Sequence, residues 1–262
     1  MGEGWDVRRT GPEDASRRVL LIPGGLCTTE FFADVMAEPA VAGLGLVAAA
    51  LPGFGGTEAP EDVTMEGYAR LMAAFADETG CEVVVAHSLG ANVAIEMAAA
   101  GLFTGPLVLL SPAFSRGDEM RSLAALDAVG RVPGLGIVVW AGMLGLLPRA
   151  VARGLPPERA QALAAAMSGN DPATCRRIVR AYYAYLDRYP SLVPRLCEAG
   201  VPVWVVRGDH DEIGLTDGER RGLEGRPHVR LVTVPDAGHA VQIDQPEAVA
   251  RVVAEAALAG VS

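Results

Sequence analysis

The chain has 262 residues, half of them hydrophobic, enough for one large α/β domain or one domain carrying an insertion. A formal charge of −10 with no basic cluster argues against a nucleic-acid partner. All 22 basic residues are arginine, which excludes a Schiff-base lysine, a phosphate-loop lysine and a Ser-Lys dyad. The first nine residues lack an apolar h-region, so no secretory signal is expected, and the segment up to Ser16 is too short and polar for more than a hairpin.

A first core strand is expected at Arg18-Val19-Leu20-Leu21-Ile22, followed by a helix over roughly Thr28 to Glu38. Further strands are expected to end near Ala50, His87, Ser111, Arg207 and Val234. Helical, Ala-rich stretches follow at Thr64 to Thr79, Leu89 to Ala100, Leu215 to Leu223 and Gln245 to Leu258. This alternation predicts an α/β fold with a mostly parallel sheet, helices on both faces, and sites at the C-terminal strand ends.

Within that frame, Val83-Val84-Val85-Ala86-His87-Ser88-Leu89-Gly90 has the layout of a nucleophile elbow. A β-branched run stops at a serine with small residues, Ala86 and Gly90, two positions to either side, and a helix begins at once. The helix N-terminus offers free amides to a developing oxyanion. A serine at this position could equally do no more than cap the helix. Two later stretches weigh against that bland role. Val203 to Asp211 is a buried-strand pattern ending in acids, and Val229 to His239 is a strand running into a loop with a histidine. Ser, acid and His in that order, each beyond a strand end, is a catalytic-triad arrangement.

Between Pro112 and Gly200 the alternation stops and the pattern turns helical. Val132 to Pro148 is seventeen residues without a charge, too short for a membrane span and broken by Pro133 and several glycines. It reads as a buried helix, a helix lining an apolar substrate tunnel, or an interfacial lid. Tyr182, Tyr185 and Tyr189 share a helical face and read mainly as packing, with one phenol able to reach a pocket. Ser168 to Pro172 reads as a turn and a helix start. His87 reads as structural. Cys27, Cys81, Cys175 and Cys197 lack metal-ligand spacing and are expected as reduced thiols in a cytoplasmic protein. No cofactor is expected.

The chain resembles the α/β-hydrolase superfamily, in its serine-hydrolase form with an inserted helical cap, over nearly its whole length. The resemblance implies a core from residues 1–111 and 201–262 and a cap from 112–200. In Gly208-Asp209-His210-Asp211, the Gly-x-x-Asp motif of the family implies Asp211 as the acid, with Asp209 as the alternative. Gly238-His239 and Pro246-Glu247 resemble the histidine region, and Leu51-Pro52-Gly53-Phe54-Gly55-Gly56-Thr57 resembles the family's Pro-Gly-Phe-Gly-x-Ser loop with threonine in place of serine. The family's His-Gly-x oxyanion loop is here Pro23-Gly24-Gly25, implying the Gly25 and Leu89 amides as donors, or Leu26 if the loop is shifted.

Ser88 as nucleophile, His239 as base and Asp211 as its orienting acid imply hydrolysis of a small-to-medium apolar ester, lactone or thioester. Leu26, Cys27, Trp140, Met143 and Tyr182 are the expected contacts to such a small molecule. C–C bond hydrolysis would need polar cap groups, for which Arg121 or Arg180 are candidates. A non-hydrolytic binder or cyclase could use the same scaffold.

Overall fold

The computed structural model describes residues 4–119, 124–125, 127–128, 135–151, 153 and 155–259. Its centre is a seven-stranded sheet of β1 (Val7–Thr10), β2 (Arg18–Ile22), β3 (Gly45–Ala49), β4 (Val83–His87), β5 (Leu107–Leu110), β6 (Val203–Gly208) and β7 (Val229–Val234). The spatial order is β1-β3-β2-β4-β5-β6-β7. Only β1 runs antiparallel, pairing Val7 with Ala49 and Thr10 with Leu46. The short N-terminal segment thus adds one edge strand to the sheet.

Strands β2 to β6 are apolar almost throughout because both faces of the sheet are covered. Leu20, Ile22, Val84, Ala86, Leu107, Leu109, Val203 and Val205 face one hydrophobic cluster, under helices α2 (Met65–Thr79) and α3 (Leu89–Ala99). Val19, Leu21, Val83, Val85, Val108, Leu110, Trp204 and Val206 face the other, under the short α1 (Ala33–Ala37) and the C-terminal helix. The period-2 alternation of side chains produces that division. The Thr64 hydroxyl caps α2 by accepting from the Gly67 amide, and Gly80 ends it in the left-handed conformation.

Between β5 and β6 the described residues include four helices and no strand: α4 (Leu135–Val151), α5 (Pro157–Met167), α6 (Pro172–Leu186) and α7 (Val193–Ala199). Arg121 and residues 129–134, the last three of which begin the uncharged stretch, lie outside the described residues. The remaining helices are α8 (Asp217–Leu223), α9 (Val241–Asp244) and α10 (Pro246–Ala259). The segment expected as one helix over Thr28 to Glu38 is instead a 3-10 turn, Thr29–Phe32, running into α1. The Asp6 carboxylate accepts from the Thr29 amide and hydroxyl there and fixes the turn to the N-terminal segment.

The insertion is tied to the core by buried polar contacts. Glu96 on α3 accepts from the Tyr185 hydroxyl of α6 at 2.9 Å and from Arg195 of α7 at 2.6 Å. Glu96 is buried, so its carboxylate depends on these partners.

Candidate active site

Strand β4 ends at His87 and the chain turns directly into α3. Ser88 sits at the apex with φ 50° and ψ −122°. The turn is tight because α3 starts against the end of β2. A Cβ on Gly90 would stand 2.4 Å from the Pro23 carbonyl oxygen and 2.9 Å from that of Ile22. That close approach explains the need for glycine two residues after the serine. Ser88 occupies the N-cap position of α3, yet its hydroxyl makes no capping hydrogen bond. It is turned instead toward His239.

The His239 Nε2 lies 3.0 Å from the Ser88 Oγ, and its Nδ1 lies 3.1 Å from the Asp211 Oδ1. A carboxylate can only accept, so Nδ1 carries the proton and Nε2 presents its lone pair to the serine hydroxyl. Asp211 Oδ1 also accepts from the Ile213 amide at 3.0 Å. Burial alone would raise the Asp211 carboxyl. The hydrogen bond and charge of His239, the nearby Ser111 hydroxyl and the Ile213 amide outweigh it and hold Asp211 below the usual carboxylate value. Asp209, by contrast, is exposed, accepts from the Ala237 amide at 3.3 Å and stands 3.4 Å from the exposed His210. Gly208 is where the acid and histidine loops touch: a Cβ there would fall 2.0 Å from the Ala237 carbonyl oxygen.

His87 joins the two halves of the site. Its Nε2 is 3.0 Å from the His239 carbonyl oxygen, so it donates there and leaves Nδ1 as a buried acceptor with no partner among the described residues. The two rings lie 4.9 Å apart, tilted by 51°. Burial, and then the charge of His239, press the His87 pKa from 6.5 down to about 3. His87 is therefore neutral and holds the loop that carries His239.

The Pro23–Leu26 loop lies alongside the elbow. A Cβ on Gly24 would meet the His87 Nδ1 at 2.8 Å and the Ser88 Cβ at 3.1 Å, and one on Gly25 would meet the Leu89 side chain at 3.2 Å. The Gly25 and Leu89 amides have no backbone partner among the described residues. Leu26 has φ 66°, an uncommon conformation for a leucine. It is one of four such non-glycine residues among those described, with Ser88, Ser111 and Asp236. Each follows the C-terminal end of a strand, so the backbone strain collects along one edge of the sheet.

Ser88, His239, Asp211, Gly25 and Leu89 thus come together. Leu26 packs with Phe54 and Leu89 in the main cluster. Cys27 donates to the Gly25 carbonyl and packs with Phe31, Leu163 and Met167; burial pushes its thiol pKa well up. Trp140 is fully buried and Met143 half-buried on α4. The buried Tyr182 hydroxyl donates to Glu119 at 2.6 Å. Arg180 is exposed. In the Pro52–Thr57 loop, Thr57 takes the closing role, accepting from the Gly53 amide and donating to the Phe54 carbonyl. A cavity of about 680 Å³ opens beside the acid loop, lined in part by Asp118, Glu119, Glu212 and Thr216. Neither Ser88 nor His239 lines it.

Two residues carry more of the site than their sequence context suggests. Asn170 holds two loops at once. Arg207, at the end of β6, is buried with its charge near Asp211, Asp118 and Glu219. A lone arginine closing an apolar run was the available signal for Arg207. Asn170 had none, because both its partners are over a hundred residues away.

A sequence profile described as the alpha/beta hydrolase family matches residues 19–252, and the chain belongs to that family. No curated protein matches the chain by sequence. Among solved structures, a haloalkane dehalogenase from Bradyrhizobium elkani is similar at 21% identity and TM-score 0.75, covering 97% of this chain and 93% of that one. A thermophilic esterase from Thermogutta terrifontis is similar at 22% identity and TM-score 0.72, with 96% and 92% covered. An enol-lactonase from Burkholderia xenovorans is similar at 18% identity and TM-score 0.74, with 96% and 95% covered. At these identities the likeness is one of fold.

Proposed function

We propose that the protein is a serine hydrolase acting on a small-to-medium apolar carboxylic ester, lactone or thioester. The observation that carries this is the unbroken relay from Asp211 through His239 to Ser88, at 3.1 and 3.0 Å. The serine hydroxyl is free for it because it does not cap α3.

Ser88 is a weak nucleophile until a base takes its proton during attack, and His239 Nε2 is placed to do so. The imidazolium that forms is stabilised by Asp211. The tetrahedral oxyanion falls to the Gly25 and Leu89 amides, where losing one donor costs about 3 kcal/mol in comparable sites. His239 then returns the proton to the leaving group, and water, activated by the same base, releases the acyl group. Segment 112–200 acts as a cap over the site. Dehalogenation is disfavoured although the fold is shared with a haloalkane dehalogenase. The nucleophile offered at the elbow is the Ser88 hydroxyl, which would form a stable alkyl ether from a haloalkane, whereas the acyl ester it forms from a carboxylic ester can be released by water.

The test is turnover of a p-nitrophenyl ester series of rising acyl length by wild type and Ser88→Ala, with fluorophosphonate labelling alongside. Activity and labelling lost together in the variant support the reading. Undiminished turnover by Ser88→Ala refutes it.

A further inference from the structure

The turn from α5 into α6 carries Asn170, a side chain 8% exposed. Its Nδ2 donates to the Leu26 carbonyl at 2.8 Å, and its Oδ1 accepts from the Gly55 amide at 2.8 Å. Neither of those backbone groups has a backbone partner among the described residues. One planar amide, with one donor end and one acceptor end, therefore completes both loops. The preceding Gly169 makes the fit close: a Cβ there would stand 2.8 Å from the Gly55 carbonyl oxygen. Arg159 on α5 grips the same stretch of core further along, donating to the Glu30 carbonyl and to Asp34, each at 2.7 Å.

Leu26 is the residue that most needs such an anchor. The Cys27 amide donates to the Gly24 carbonyl at 3.3 Å, closing a turn in which Leu26 takes the third position with φ 66°. Glycine is the usual occupant of a third position with positive φ. With its carbonyl released, Leu26 can relax to negative φ as the turn from Gly24 to Cys27 reorganises around it. That turn carries the Gly25 amide, which lies beside Leu89 in the loop next to Ser88.

We infer that Asn170 is a positioning residue: it holds the Leu26 peptide in its left-handed conformation, so that the oxyanion-binding geometry exists only while the helical insertion is docked. The chemical half of this inference rests on the serine-hydrolase reading; the structural half does not. An insertion that lifts to admit substrate would dismantle the amide cradle as it moves, and chemistry would wait for re-docking.

The experiment compares full-length wild type, Asn170→Asp and Asn170→Ala. Asn170→Asp keeps the acceptor for Gly55 and loses only the donor to Leu26. Both variants are expected to lose at least about tenfold in kcat with KM changed less than about twofold, bounded by the 10²–10³-fold cost of losing an oxyanion donor outright. Affinity for a trifluoromethyl ketone, whose adduct carries the oxyanion, should fall in parallel. For Asn170→Asp the ratio to wild-type kcat should recover as pH falls, because a protonated carboxyl can donate to Leu26 again. Amide hydrogen exchange across residues 24–28 should quicken in both variants, a readout independent of turnover. A lowered thermal midpoint with unchanged kcat, ketone affinity and exchange overturns the inference. If wild type neither turns over esters nor labels with fluorophosphonate, the proposed function fails, and the exchange comparison alone decides whether Asn170 holds the loop.

Discussion

Replacing Asp211 by asparagine separates the two services that an orienting acid provides. In this site a single oxygen, Oδ1, accepts both from His239 Nδ1 and from the Ile213 amide, while Oδ2 makes neither contact. Asparagine can keep its carbonyl at the Oδ1 position and place its NH₂ where Oδ2 was. The histidine tautomer is then retained and only the negative charge is lost. Two opposite charges about 4 Å apart attract by about 4 kcal/mol at an effective dielectric constant near 20. Because the imidazolium forms only in the transition state, that energy appears in kcat, as about 10³-fold. Asp211→Ala also removes the orienting bond and should cost more, approaching the roughly 10⁴-fold seen when a triad acid fails to hold the tautomer. Asp209→Asn should change kcat less than about threefold, as expected of an exposed side chain outside the relay. The assay is kcat on p-nitrophenyl butyrate, with circular dichroism confirming the fold of each variant. Asp211→Asn retaining activity within tenfold, or Asp209→Asn proving the more damaging change, would refute the reasoning.

Other perturbations probe the neighbouring contacts. His87 is neutral when folded, with its pKa lowered to about 3, while the unfolded chain binds a proton there below about 6.5. Its contribution is complete above the unfolded pKa and is lost as pH falls toward the folded one. Between pH 6.5 and 5 chemical denaturation should show about 1.5 kcal/mol of lost stability from this residue, and His87→Gln should remove that slope. Gly90→Ala forces a methyl group to 2.4 Å from the Pro23 carbonyl, so the elbow must open. We expect a lower thermal midpoint together with loss of fluorophosphonate labelling; a normal labelling rate would mean the elbow tolerates the shift. Arg195→Met leaves the buried Glu96 carboxylate with Tyr185 as its remaining side-chain donor among the described residues and should destabilise by about 3 kcal/mol, read from urea unfolding.

The sheet was readable because β2 to β6 are buried on both faces and so appear as apolar runs. The expected strand ends at Ile22, His87 and Val234 match the observed ones, and those near Ala50, Ser111 and Arg207 lie within one residue of them. The edge strand β1 was harder to see, since Val-Arg-Arg-Thr carries charge and earns its place by pairing with β3. The helix expected over Thr28 to Glu38 gave way to a 3-10 turn because Asp6, distant in sequence, captures the Thr29 amide and hydroxyl. Ser88, Asp211 and His239, which the structure brings within hydrogen-bond distance of one another, stood out because each follows a strand end in a fixed order. Asn170 reads as an ordinary turn residue, for a sequence shows what a turn can cap locally and not which remote carbonyl it will meet. His87 was legible as structural, but not the particular group it holds, the backbone of its partner histidine.

The hydrogen bond between Ser88 and His239 joins residues 151 positions apart. A nascent chain can lay down β2 to β5 and bend the elbow long before β7 has been made. Through all that time it holds a serine poised at its turn but chemically idle, since the group that would activate it has not arrived. Contacts of such long sequence separation form late. The appearance of serine reactivity during refolding would therefore time the docking of β7 onto β6, and the order of synthesis itself would keep a half-made hydrolase from attacking anything.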